Sequence, residues 1–131
     1  DYQMEEYPTW ASRLGDRRWN NRWGEESLDA IDRRNRHYID VLTQLGSIKR
    51  EDLSLADRLN YDLFMRDYQN EVDGYRFRWH LLPLNQMGGL QTLDELADAL
   101  RFDTLQDYDD WLARLHALPE YIEHWRTRSA N

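Results

Sequence analysis

The chain has 131 residues, a formal net charge of −8 and 40% apolar content, enough to bury one core and too little for two ordinary domains. That acidic balance disfavours a general role on nucleic acid or on an anionic membrane surface, where the phosphate term would be repulsive overall. Cysteine is absent, which removes disulfides, thiolate metal sites and a cysteine nucleophile; no apolar run approaches the length needed to cross a bilayer.

The chain opens at Asp1 with no signal-peptide pattern, pointing to a mature form or to a piece of a longer protein. Tyr7, Trp10 and Leu14 stand at helical spacing, with Pro8 suited to a first turn and Gly15 to a stop, so a short helix is expected from Pro8. Residues 16–24 are polar and turn-rich and predict an ordered loop. Arg17, Arg18, Trp19, Arg22 and Trp23 interleave cations with aromatics there, a composition that stacks on single-stranded nucleic acid but also pins a loop to its own protein. The net charge favours the second reading, with no nucleic-acid partner.

Ser27 is placed to cap a helix whose apolar face carries Leu28, Ile31, Tyr38, Val41, Leu42 and Leu45 up to Gly46, with Arg33, Arg34, Arg36 and Asp40 assigned to the opposite face. Ser54, with Asp57 following, caps the longest helix, in which Leu55, Leu59, Leu63, Phe64, Tyr68, Val72 and Tyr75 form a stripe wide enough for more than one neighbour. Gly74 loosens its end. The stretch from Leu81 to Leu90 cannot be helical throughout, because Pro83 lacks an amide donor and Gly88 and Gly89 tolerate angles that other residues avoid. It predicts an ordered loop in the second half of the chain.

Thr92 to Glu95 has the form of a capping box opening a short helix; Thr104 opens another with Tyr108, Trp111, Leu112 and Leu115 on one face; and Pro119 opens a last one carrying Tyr121, Ile122 and Trp125. The expectation is an all-α chain, a single unit over residues 1–131 of about six helices.

Chemistry-bearing patterns are few. His116, Glu120 and His124 are spaced by four, but Pro119 interrupts the helix that would align them as zinc ligands, so no metal site is assigned. No Gly-rich phosphate loop, nucleophile elbow or His-Glu-x-x-His motif occurs, and no catalytic residue is assigned. Asn85 and Gln86 have two readings: recognition of a ligand's backbone amides, or satisfaction of the loop's own backbone groups.

Ordered segments carry a resemblance: Tyr7 to Asp16, Leu53 to Leu63, His80 to Gly89, then Phe102, Thr104, Asp107, Tyr108, Leu112 and the stretch from Leu115 to Tyr121. Together they are similar to the N-terminal region of the bacterial family known as domain of unknown function 885. The resemblance implies a parent protein several times longer, mostly helical and like a zinc metallopeptidase, often with export or lipoprotein signals and hence periplasmic or envelope-bound. The zinc motif of such proteins lies downstream of the matched region. The resemblance therefore implies a non-catalytic segment with no cofactor of its own, zinc in the parent, and partners in the rest of that chain and in a peptide substrate. Asn85, Gln86, Gly88 and Gly89 are its candidates for the wall of a substrate cleft. The alternative is an independent helical interaction module.

Overall fold

A computed structural model describes residues 1–81 and 89–129 of the chain. Among them stand seven α-helices and four 3-10 turns, with no strand, so the chain is all-α. The helices are α1 (Tyr2–Glu6), α2 (Pro8–Arg13), α3 (Leu28–Gly46), α4 (Leu55–Arg76), α5 (Glu95–Ala99), α6 (Leu105–His116) and α7 (Leu118–Ser129). Asn85, Gln86 and Gly88, with the rest of 82–88, lie outside the described residues.

The boundaries follow local chemistry. Helix α1 was not expected from the apolar spacing. It ends because Tyr7 precedes a proline, whose ring disfavours helical angles in the residue before it, and Tyr7 takes φ −123° and ψ 67°. Pro8 then serves as the first residue of α2, where its missing amide costs nothing. Gly15 at φ +87° stops α2: its amide donates to Ser12 O at 3.0 Å and that of Asp16 to Ala11 O at 3.0 Å, the paired bonds of a Schellman motif. Ser54 caps α4 by accepting from the Asp57 amide at 3.2 Å.

Two compact units divide the chain. One comprises α3 and α4 with their flanking turns. Three pairings fix these helices as antiparallel, since partners descend along α4 as they ascend along α3. Tyr75 donates to Asp32 at 2.7 Å, the Tyr38 and Tyr68 rings meet edge-on at 5.3 Å, and Tyr61 donates to Leu45 O at 3.2 Å. Arg34 corrects the expected polar face. It is only 5% exposed, being three residues after Ile31 and four before Tyr38, both of which are buried. The wide stripe of α4 is only partly covered: Tyr68 is buried, but Leu55 is 86% exposed and Leu59, Leu63 and Phe64 are also open. Near its end Gly74 faces the Trp79 ring, which a Cβ there would meet at 3.3 Å.

The other unit joins residues 1–27 to the chain from α5 onward, around a core of Trp23, Leu96 and Tyr121. The expected capping box at Thr92 is not formed. Thr92 closes a 3-10 turn, its hydroxyl donating to Gly89 O at 3.1 Å, and α5 starts after Asp94 without a side-chain cap. The box stands instead at α6, where Thr104 and Asp107 bond reciprocally. Helix α6 also presents Leu105, Tyr108, Leu112 and Leu115 to solvent, Leu105 at 84% exposure.

Candidate functional site

The loop of residues 16–24 is locked to α6 by a buried cation. Arg114, fully buried, donates from Nε to Arg22 O at 2.9 Å and from one terminal nitrogen to Ser12 Oγ at 3.0 Å and Trp19 O at 2.6 Å. Its guanidinium lies 5.4 Å from the Trp23 ring centre, and Trp23 Nε1 donates to Arg114 O at 2.7 Å. Burial pushes the Arg114 pKa down to about 10, which leaves it cationic at neutral pH. At the outer side of the loop Arg17 reaches Asp107 at 3.2 Å and Asp103 at 2.7 Å, while Arg22 stacks on Trp19 at 4.4 Å. The cation–aromatic run thus engages its own protein.

With the loop fixed, Trp23 stacks on Tyr121 at 4.9 Å, and Tyr121 lies in the walls of two grooves. Burial, reinforced by the nearby Glu26 carboxylate, pushes the Tyr121 pKa up to about 12. The smaller groove, about 180 Å³, holds Arg22, Glu25, Glu120 and His124 around Gly24. Gly24 must lack a side chain, since a Cβ would lie 2.9 Å from Glu6 O. Glu120 and His124 share α7, whereas His116 ends α6 and Ala117 separates the two helices. Among the described residues no three His, Cys, Asp or Glu side chains are grouped so that they could hold a metal ion.

The larger groove, about 250 Å³, runs between α2 and α7. Thr9, Trp10 and Arg13 come from one face of α2, Leu93 and Leu96 from the approach to α5 and its first turn, and Tyr121 and Trp125 from successive turns of α7. Leu96 and Tyr121 form a buried floor, and Arg128 holds Trp125 from behind, its guanidinium 5.0 Å from the ring and paired with Glu26. Gly89 lines this groove at φ +135° and ψ −161°, angles open to glycine alone. Of the four cleft candidates read from the sequence, Gly89 is the one among the described residues. The partners around it were missed because Trp10 and Trp125 lie at opposite ends of the chain; the spacing of Tyr121 and Trp125 by four was visible but pointed equally to core.

Helix ends, a buried clamp and an aromatic groove are what the described residues build here. No curated protein and no solved structure matches the chain. Its family is nevertheless shown by a model that matches residues 8–131: the chain belongs to the bacterial proteins of unknown function grouped as DUF885.

Proposed function

We propose that this chain is the N-terminal helical segment of a metallopeptidase-like bacterial envelope protein, contributing scaffold and part of the wall of a peptide cleft without performing chemistry. The observation that carries the reading is the aromatic groove at Gly89, walled by Trp10, Leu93, Tyr121 and Trp125. In a zinc peptidase the metal and a glutamate activate water, and surrounding helices hold the peptide in register with them. Asn85, Gln86 and Gly88, which lie outside the described residues, are proposed as further contacts to the peptide. The exposed rows on α4 and α6 support a place within a larger protein, because open apolar rows of this kind mark contact surfaces.

The test is peptide turnover by the full-length protein with Asn85→Ala, Gln86→Ala and Trp10→Ala. Loss of wall contacts made equally in ground and transition states raises KM severalfold with little change in kcat. Unchanged turnover and unchanged peptide affinity in all three would sink the cleft role.

The same apolar rows also favour the second reading, an independent module that docks onto another protein. The gene's reading frame separates the two. A frame that runs past Asn131 into a His-Glu-x-x-His segment supports the peptidase reading, and one that stops supports the module.

A further inference from the structure

We propose that the groove between α2 and α7 is a pocket for the C-terminal residue of a peptide: it takes a large apolar side chain, and Arg13 receives the terminal carboxylate. The inference rests on the peptide-cleft reading and specifies which part of a peptide this wall meets. Size comes first. At about 250 Å³ the groove falls below the roughly 300–1,000 Å³ of sites that enclose whole small ligands, and it suits one side chain.

Its chemistry narrows the occupant further. Trp10, 47% exposed, stands as an open aromatic wall, and Leu93, Leu96, Tyr121 and Trp125 complete a lining against which a polar side chain would lose hydration without gaining a partner. Arg13 is the one ionisable basic residue among the described residues of the lining. Among the described residues its ion-pair partner is Glu95, at 3.7 Å, beyond hydrogen-bond range and with both side chains about half exposed. The guanidinium fork is therefore available to a carboxylate, which it binds through two parallel N–H···O bonds when geometry allows.

An interior peptide residue brings an apolar group but no charge to Arg13, and an acidic side chain brings the charge but cannot fill the floor. A terminal apolar residue brings both. Glu95 then acts as a built-in competitor, a carboxylate that must give way when the peptide's own arrives.

The experiment measures binding to the full-length protein of an N-acetylated tetrapeptide ending in phenylalanine, as the free acid and as the amide, with 3-phenylpropionate as a non-peptide acid. The acid is expected to bind about tenfold more tightly than the amide, as one charge-assisted pair at a half-exposed rim would give. Arg13→Gln should erase that difference and Glu95→Gln should widen it, both at exposed positions where folding is not at stake. Trp10→Ala should weaken acid and amide alike.

Acid and amide binding equally, with both weakened by Trp10→Ala, would overturn the carboxylate assignment and leave the cleft reading standing. Phenylpropionate binding as tightly as the tetrapeptide acid would overturn the peptide assignment. Absence of saturable binding by either peptide would overturn this inference and the cleft reading together.

Discussion

Replacing Arg114 with methionine should loosen the whole joint between the 16–24 loop and α6. The native guanidinium supplies Arg22 O, Trp19 O and Ser12 Oγ with donors at 2.9, 2.6 and 3.0 Å, and methionine keeps the apolar stem while removing every donor. Each acceptor left dry costs about 1–3 kcal/mol. Relief of a desolvated cation offsets part of that, since a buried charge without a hydrogen-bonded carboxylate is itself held at a penalty of several kcal/mol. The balance is a loss of about 2–4 kcal/mol, large against the roughly 5–15 kcal/mol that stabilises a typical native protein. Arg114→Lys should cost about half as much, because one ammonium cannot span acceptors spread along the fork. Urea unfolding followed by tryptophan fluorescence measures the total, and amide hydrogen exchange of residues 17–24 measures the local release. A methionine variant within about 0.5 kcal/mol of the parent, with exchange in the loop unchanged, would refute the clamp.

Three further outcomes are expected. Gly74→Ala should stabilise α4 by about 0.5–1 kcal/mol in denaturant unfolding, because the ring it approaches belongs to the exposed Trp79 and can move aside; a loss would show that the ring is fixed. Asp107, held below the usual 3.8 chiefly by the Thr104 hydroxyl and also by backbone amides and Arg17, adds stability that is full above that value and lost as pH falls through its lowered pKa. Asp107→Asn should therefore lower the melting temperature at pH 7, with the gap to the parent closing as the pH falls below 3.8 through the lowered pKa. Tyr121 has the opposite sign: with its pKa raised from 10.0 to about 12, its contribution is intact below pH 10 and lost as pH climbs to 12. Tyr121→Phe should lose less stability than the parent across that window, and the parent's difference spectrum should show a phenolate appearing near the upper end.

Much of the fold was legible because its signals are local. Pro8, Gly15, Ser54, Thr104 and Pro119 mark helix ends through their own backbone chemistry, and the structure places helix boundaries at or next to each of them. Thr92 shows where local reasoning overreaches. The pattern of a capping box was present, but Thr92 is spent on the 3-10 turn at Gly89, and the choice between these two uses of one hydroxyl depends on packing around Leu93 and Leu96. Helix α1 was missed for a related reason, its boundary being set by Pro8 with no buried apolar residue of its own.

What the sequence by itself determined is therefore the helical class and the punctuation of the helices, properties of residues within a few positions of one another. The tertiary structure alone decided that Arg34 and Arg114 are interior cations, that Trp10 and Trp125 share a groove, and that the stripe of α4 stays half open. Those facts depend on which surfaces meet after the chain has folded back on itself. Spacing along a helix says which residues share a face, but only the neighbour that covers the face, or leaves it bare, turns that face into core or into a site.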